Sequence, residues 1–210
     1  NDSPIALNFD NKIDNPLKGF IKQDDIFRQD LSNLFSDEDD IELSYEIVSA
    51  PKWLSLVDEK FISGTPSNLD VGIHSVIVSA TDSQNDPVFQ ELEINVSNVN
   101  DAPEIVNSII LPTVEQDVNF SYLLTSDAFF DKDILVNPQE KLTYELIVEN
   151  SFDELDKILS IDKTTGNISI KTNYSSVGTT NFSVKVTDTE GLSVTQSSNI
   201  KVLNINDSPF

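Results

Sequence analysis

The 210-residue chain contains no cysteine, a single histidine, and 13 lysine or arginine residues against 36 aspartate or glutamate residues. Without cysteine it can form neither disulfides nor thiolate metal sites. No apolar run approaches the roughly 18 residues of a membrane span. No signal peptide or basic targeting segment is evident, so we expect an exported protein to carry its signal outside this stretch. The net charge of -23 should repel nucleic acid and anionic membranes, so we predict no nucleic-acid partner and no direct membrane insertion.

Catalytic signatures are also missing from the sequence. It has neither a G-x-S-x-G motif nor a P-loop, and the "DTEG" that begins at Asp188 is not the D-T-G of aspartic proteases. Paired carboxylates are plentiful, so residue type alone leaves a glycosidase open. These pairs recur along the chain, however, and a catalytic pair would have no reason to repeat. We therefore predict that the protein is not an enzyme.

One short acidic phrase recurs three times along the chain. It reads "NDSP" at 1–4, "SNVNDAP" at 97–103 and "LNINDSP" at 203–209. A shift of 106 residues also superposes "SVIVSATD" (75–82) on "NFSVKVTD" (181–188). Self-similarity at a fixed period indicates repeated structural units. We infer two copies of one module, at 1–100 and 101–210.

Both copies have the patterning of β-strands and turns. Apolar and polar residues alternate along "SVIVSATD" and "NFSVKVTD". The stretches "GTPSNLDVG" and "DKTTGN" have turn chemistry, with glycine supplying positive φ. Several short strands per hundred residues predict an all-β protein of two tandem Greek-key β-sandwich domains joined end to end. One segment, 150–159, carries a helix cap and helix formers and predicts an inserted helical turn.

The roles of Trp53 and His74 can be structural or functional. Trp53 and Leu54 are predicted to fill the first core, because alternating strand residues follow them and the second copy has the apolar "ILS" in their place. A sugar-stacking platform is the alternative for Trp53. His74 is predicted to be an ordinary strand residue, since nothing near it in sequence makes it a ligand or a base.

Aspartate and asparagine cluster at the ends of the apolar segments. Asp82 and Asp188 each continue the inward-facing alternation of a predicted strand, where a carboxylate is costly without a partner. No lysine or arginine is suitably placed in either "TD" stretch. Acidic pairs also fall at i and i+2 in a predicted turn of each copy: Asp37 with Asp39, and Asp131 with Asp133. Clusters of oxygen ligands suit Ca²⁺, whereas Mg²⁺ demands a tighter octahedron and retains more water, so we predict Ca²⁺ as the cofactor.

Together these motifs make the chain resemble tandem cadherin-like modules, especially the dystroglycan-type cadherin-like repeats of large cell-surface adhesins. The resemblance covers nearly all 210 residues. The first copy carries the family's pattern as "FSDED", "LSY", "WLS", "SGTP", "SATD" and "NVNDAP". The second copy keeps "FDKD", "LTY", "KVTD" and "NINDSP". Each motif alone is weak, but their shared order in two copies is specific.

The resemblance implies calcium ions held between successive modules, and it implies the ligands by motif. The complete site would comprise Asn98, Asn100, Asp101, Asp131, Asp133 and Asp188. An N-terminal half-site would comprise Asn1, Asp2, Asp37, Asp39 and Asp82. Three residues would await a further module: Asn204, Asn206 and Asp207. The family's early glutamate is matched by Glu115 alone, and its "L-D-R-E" segment has only Leu69-Asp70, with Gly72 at the glutamate position, so we expect one or two ions at each joint.

These observations predict a calcium-stabilised extender or adhesion segment of a large extracellular repeat protein, secreted or on the cell surface. Its partners would be the neighbouring repeat domains of the same chain, and calcium would make their joints rigid. Two alternatives stay open. The chain could be a module that binds a surface glycan or a protein ligand, or an accessory domain of a polysaccharide-degrading enzyme. The bias towards Asp, Asn, Ile and Ser, with few glycines and no cysteine, favours a bacterial repeat protein.

Overall fold

The computed structural model describes residues 2–7, 17–38, 42–82, 84–124, 127–148 and 158–206. The chain divides into two units, Asn1–Val99 and Asn100–Phe210, which we call unit 1 and unit 2. The described residues form β-strands, turns and short 3-10 turns, with no α-helix among them. The all-β prediction is therefore confirmed. The helical turn predicted at 150–159 lies largely outside the described residues.

Unit 1 is a sandwich of two sheets whose strands are mainly antiparallel. The described part contains β1 Ile5–Ala6, β2 Leu17–Lys22, β3 Phe27–Asp30, β4 Phe35–Ser36, β5 Ser44–Ser49, β6 Leu54–Val57, β7 Phe61–Gly64, β8 Gly72–Thr81 and β9 Val88–Ser97. One sheet has the order β2-β9-β8-β5, a second has the order β3-β7-β6, and β1 pairs with β4. Strands β2 and β9 are parallel, and the other pairs are antiparallel.

Unit 2 repeats this topology strand for strand. Its described strands are β10 Glu104–Ile105, β11 Val114–Glu115, β12 Asn119–Leu123, β13 Phe129–Phe130, β14 Thr143–Val148, β15 Leu159–Ile161, β16 Asn167–Lys171, β17 Gly178–Thr187 and β18 Ser193–Leu203. The sheets have the orders β11-β18-β17-β14 and β12-β16-β15, and β10 pairs with β13. In each unit the chain leaves the larger sheet for two strands and then returns to it. The prediction of two tandem β-sandwiches is confirmed.

The cores lie between the sheets and follow the alternation in the sequence. The apolar residues expected to face inward are each 0% exposed: Val76, Val78, Ala80, Phe182, Val184 and Val186. Period-two side-chain placement puts them on one face of β8 and β17, and β-branched valine packs well on such a pleated face. Burying a side chain of this size contributes roughly 1.5–3 kcal/mol to stability.

Trp53 belongs to the core of unit 1. Leu54 is buried, and Trp53 packs against the same apolar cluster. The indole ring makes edge contacts with Phe27 at 6.2 Å and with His74 at 5.9 Å between ring centroids. His74 lies in β8, and its Nε2 is 2.6 Å from the carbonyl oxygen of Asp70. The core role of Trp53 and the strand role of His74 are thus confirmed.

Glycine is required at particular points for two different reasons. Gly72 and Gly166 have φ of +132° and +70°, so the predicted turn chemistry is confirmed there. Gly64 is different, because a Cβ at this position would lie 1.8 Å from the carbonyl oxygen of Trp53. The close approach of strands β6 and β7 therefore depends on the absence of a side chain at Gly64.

Candidate functional site

The predicted acidic turn of unit 2 directly follows strand β13. Asp131 caps the 3-10 turn Lys132–Leu135, and its Oδ1 accepts a 2.9 Å hydrogen bond from the backbone N–H of Asp133. Both aspartates are 0% exposed. The turn therefore buries both carboxylates of the i, i+2 pair in unit 2.

Asp188 lies at the end of strand β17 and is 5% exposed. Its Oδ1 accepts hydrogen bonds from the backbone N–H groups of Gly191 at 2.6 Å and Leu192 at 2.8 Å. These contacts close the loop that joins β17 to β18. Asp188 therefore has a local structural role, which side chains of this type commonly play in turns, in addition to any role in binding a ligand.

The first residues of unit 2 connect these two loops. Asn100 donates a hydrogen bond from Nδ2 to Oδ2 of Asp188 at 2.8 Å. Asp101 donates its backbone N–H to Oδ2 of Asp133 at 2.7 Å. The structure thus brings together five of the residues predicted for the complete site, which we call the unit-2 acidic cluster: Asn100, Asp101, Asp131, Asp133 and Asp188.

Two carboxylate oxygens of the acidic cluster have no hydrogen-bond partner. They are Oδ2 of Asp131 and Oδ1 of Asp133, and both are buried. Burial is the largest influence on the pKa of Asp131 and raises it, and the charges of Asp133, Glu140 and Asp188 raise it further, against the lowering effect of the Asp133 amide. Because burying an ionised carboxylate without a partner is expensive, this pair requires compensation.

Sequence reasoning missed two further residues beside the acidic cluster. Glu140 is 7% exposed, and its Oε1 accepts hydrogen bonds from the backbone and hydroxyl of Thr189, each at 2.9 Å. Nothing in the repeat pattern marks Glu140. Lys132 lies between Asp131 and Asp133 and extends Nζ to 3.9 Å from Oδ1 of Asp101. The sequence signal for Lys132 was its position as the middle, positively charged residue of the D-x-D motif.

The acidic cluster fits a hard cation by its chemistry but does not form a closed coordination shell. Among the residues that the structure describes, no group of three or more His, Cys, Asp or Glu side chains is arranged to hold a metal ion. Donors from Asn100 and Asp101 take one oxygen each of Asp188 and Asp133. The remaining buried oxygens and the purely oxygen ligand set suit Ca²⁺. A bound cation would therefore replace or share those donors.

In unit 1, the aspartate equivalent to Asp188 is Asp82, which accepts its side-chain hydrogen bond from its own loop. Asp82 is 2% exposed, and its Oδ1 accepts from the backbone N–H groups of Gln84 and Asn85, each at 2.9 Å. Asn85 also donates from Nδ2 to Oδ2 of Asp82 at 2.9 Å and to the carbonyl oxygen of Asp2 at 3.2 Å. Asp37 follows β4 just as Asp131 follows β13. Asn1 and Asp39 of the predicted half-site lie outside the described residues.

The other predicted ligands lie at or just after the ends of strands. Asn98 follows β9, and Asn204 and Asn206 follow β18, all three exposed. Glu115 pairs in register with Leu203, the last residue of β18, at the end of unit 2 opposite Asp188. Lys22 pairs in the same way with Ser97 and is thus the unit-1 counterpart of Glu115. Asp207 lies outside the described residues.

Within the described parts of the chain, no helix has both the length and the apolar character needed to cross a membrane. No curated protein matches the sequence.

Solved structures resemble the chain in fold. Human mucin-like protocadherin EC1-2 is 13% identical, with a TM-score of 0.62 over 91% of this chain and 97% of that one. Human protocadherin-24 EC1-2 is 17% identical, with a TM-score of 0.60 over 98% of this chain and 100% of that one. An endo-fucoidan hydrolase of glycoside hydrolase family 107 is 20% identical, with a TM-score of 0.42. The match covers 97% of this chain but only 29% of that enzyme.

The cadherin-like form of both units agrees with the resemblance in their motifs, and these likenesses concern the fold. One family model matches the sequence twice, at residues 13–97 and 102–203, once in each unit. The two matches together span most of the chain. The chain therefore belongs to the He_PIG family, described as "Putative Ig domain", and carries two tandem copies of its domain.

Proposed function

We propose that this chain is a non-enzymatic segment of a large extracellular protein in which Ca²⁺ binds the unit-2 acidic cluster. The observation that carries the proposal is the pair of buried carboxylate oxygens without hydrogen-bond partners, Oδ2 of Asp131 and Oδ1 of Asp133. Native proteins rarely bury such groups without a partner, and those that do generally have a functional reason. A bound cation supplies that reason here.

Charge balance supports a cation rather than a purely structural role. Asp131, Asp133 and Asp188 are all at most 5% exposed. In the described structure, no lysine or arginine forms an ion pair with these three residues. The penalty for taking a carboxylate out of water is several kcal/mol per ion, on the order of the whole stability of a small domain. A divalent cation would offset much of the repulsion among these three acids.

The ligands available favour Ca²⁺ over softer metals. Asp131, Asp133, Asp188 and Asp101 would contribute carboxylate oxygens, and Asn100 would contribute its amide oxygen. The cluster contains neither imidazole nor thiolate, which Zn²⁺ favours. When bound, the ion would supply charge neutralisation and a link between the Asn100–Asp101 segment and the two acidic loops. Weak extracellular calcium sites with dissociation constants of about 10⁻⁴–10⁻³ M are the relevant comparison.

The mechanical consequence is restraint of the segment that follows unit 1. Pro103 restricts Ala102 to extended backbone, and a cation would fix Asn100 and Asp101 to the acidic loops. Calcium would thereby make the joint between successive modules rigid, which suits an extender or adhesion segment that is secreted or displayed on a cell surface. The composition bias towards Asp, Asn, Ile and Ser favours a bacterial source.

Isothermal titration calorimetry tests the proposal. The wild-type chain should bind Ca²⁺ in preference to Zn²⁺, and Asp133→Asn should remove one class of calcium sites. Glu145→Gln is a matched control, because Glu145 is an exposed residue in the middle of strand β14 and its loss removes the same charge elsewhere in unit 2. Absence of calcium binding, or tight binding of Zn²⁺ alone, would contradict the proposal.

A further inference from the structure

Lys132 places a positive charge at the edge of the unit-2 acidic cluster. Its Nζ lies 3.2 Å from Oε1 of Glu104 and 3.9 Å from Oδ1 of Asp101. The lysine side chain is 45% exposed and that of Asp101 is 28% exposed. The ammonium group therefore pairs with the carboxylate of Asp101. This is the one carboxylate of the cluster that lies in the Asn100–Asp101 segment, which we call the linker, rather than in a loop of the unit.

The backbone fixes both partners of this ion pair. Lys132 is the first residue of the 3-10 turn that Asp131 caps, so its position is set by the two aspartates on either side of it. Asp101 is held by the hydrogen bond from its N–H to Asp133. Glu104 begins strand β10 and pairs in register with Phe130, one residue before Asp131. These backbone contacts therefore place Lys132 beside Asp101.

We propose that Lys132 is a tethered counter-cation that competes with Ca²⁺ for Asp101 and lowers the calcium affinity of the unit-2 acidic cluster. This inference rests on the proposed function, since it concerns the same ion. In the absence of calcium, Lys132 forms an ion pair with Asp101. When a divalent ion binds the carboxylate of Asp101, the positive charge of Lys132 repels that ion.

Unit 1 provides an internal contrast. The residue between Asp37 and Asp39 is Glu38, which is exposed, so the corresponding position carries a negative charge. Strand β1 begins with Ile5 where β10 begins with Glu104, so the second acceptor of Lys132 is also missing from unit 1. Two copies of the same loop therefore differ by two units of charge at the residue between the aspartates, and only the unit-2 loop carries its own cation.

The size of the expected effect follows from electrostatics. An exposed ion pair by itself contributes little to folding stability. A fixed positive charge close to a divalent ion acts on the full charge of that ion, and at the edge of a protein, where solvent screens the interaction, removing it should change the dissociation constant by about tenfold. The effect should shrink as ionic strength rises, because both groups are partly exposed.

Calorimetric titration of the whole 210-residue chain with CaCl₂ tests this inference. Asp133→Asn identifies which class of sites belongs to unit 2. In that class, Lys132→Gln should bind Ca²⁺ about tenfold more tightly than wild type, whereas Lys132→Arg, which keeps the charge, should resemble wild type. Lys201→Gln is the control for loss of one positive charge, because Lys201 is exposed in strand β18 and pairs in register with Thr179, at the end of β17 opposite Asp188, and it should leave the affinity unchanged.

The outcomes separate this inference from the proposed function. If wild type binds Ca²⁺ and Lys132→Gln binds it with the same or lower affinity, the competition by Lys132 is wrong while the calcium site stands. A tighter Lys132→Arg variant would also overturn it, since charge would then not be the cause. If neither wild type nor Lys132→Gln binds Ca²⁺, both the inference and the proposed function fail.

Discussion

The backbone N–H of Asp101 donates a 2.7 Å hydrogen bond to Oδ2 of Asp133, although 32 residues separate them in sequence. One carboxylate thus serves the linker with one oxygen and has a second, buried oxygen without a partner. The contact orders the linker segment without any metal. The bond gives one carboxylate oxygen of Asp133 a partner, but it does not compensate the negative charges of the neighbouring acids. Burying these acids without a cation therefore costs folding free energy.

The Asp133→Asn variant should lose most of the stabilisation that calcium gives to the wild type. In chelator the variant should be at least as stable as wild type, because it removes one of several crowded, buried negative charges while keeping a side-chain oxygen for Asp101. In saturating Ca²⁺ the wild type should gain about 2.7 kcal/mol at a hundredfold excess over the dissociation constant, and the variant should gain much less. Thermal unfolding in both conditions measures this. Equal gains in both proteins would exclude Asp133 as a ligand.

Asp131 should make stability depend on pH when calcium is absent. Its pKa is raised above the ordinary value of 3.8 in the folded protein, chiefly by burial. The folded state therefore resists ionisation, so the free energy of unfolding should fall as pH rises from about 3.8 through the higher folded pKa. Asp131→Asn cannot ionise and should lack this fall.

Urea unfolding in chelator, at a series of pH values from about 3 to about 7, tests the dependence. The informative quantity is the difference in unfolding free energy between wild type and Asp131→Asn, because the other carboxylates titrate in both proteins and cancel. A difference that does not change with pH would show that Asp131 ionises normally in the folded state.

In unit 1, the side chain of Asn85 should contribute to stability through its hydrogen bond to the buried Asp82. Asn85 donates from Nδ2 to Oδ2 of Asp82, whereas the neighbouring Gln84 contacts Asp82 only through its backbone N–H. Asn85→Ala should therefore cost about 1–3 kcal/mol, since it removes a hydrogen bond to a buried charge. Gln84→Ala is the matched control and should be nearly neutral. Chemical denaturation of both variants distinguishes them, and equal losses would contradict the assignment.

Gly64 should tolerate no side chain. A Cβ there would lie 1.8 Å from the carbonyl oxygen of Trp53, and a backbone atom cannot move aside as the end of a side chain can. Gly64→Ala should therefore destabilise unit 1 by about 3 kcal/mol or more. Ser55→Ala, on the adjacent strand β6, changes an exposed residue and should have little effect. A melting temperature for Gly64→Ala equal to that of wild type would show that β6 and β7 can separate without loss.

Much of the fold was predictable because period-two alternation directly reports which face of a strand is buried. The inward-facing positions of Val184 and Asp188 were predicted from such local patterns. The contact between Glu140 and Thr189 was not predictable, since it joins residues 49 positions apart whose types recur throughout the chain. The match between Glu115 and Lys22 was also missed, because the two copies differ in spacing between their first and last strands. Only the strand register with Leu203 and Ser97 reveals it.

The linker should exchange its amide hydrogens more slowly in calcium than in chelator. The N–H of Asp101 already donates to Asp133, so its exchange should be partly slowed without metal. A cation that binds Asp101 and the loop acids together would lower the population of the open linker and slow exchange further. Hydrogen exchange of the peptide that contains Asp101 measures this directly, and peptides from strand β17 serve as the internal reference.

The Asp101→Ala variant separates the contribution of the side chain from that of the backbone in this experiment. The variant keeps the N–H that donates to Asp133 but loses the carboxylate that would bind calcium and that pairs with Lys132. Its linker exchange should therefore match wild type in chelator to within a small factor and should no longer respond to calcium, while strand β17 stays protected. Small-angle scattering should agree: calcium should narrow the distance distribution of wild type and leave that of Asp101→Ala unchanged.

If calcium slows linker exchange equally in both proteins, the ion does not act through Asp101. If it slows neither, the aspartates of this joint are loop staples of unit 2, and calcium does not control the stiffness of the joint.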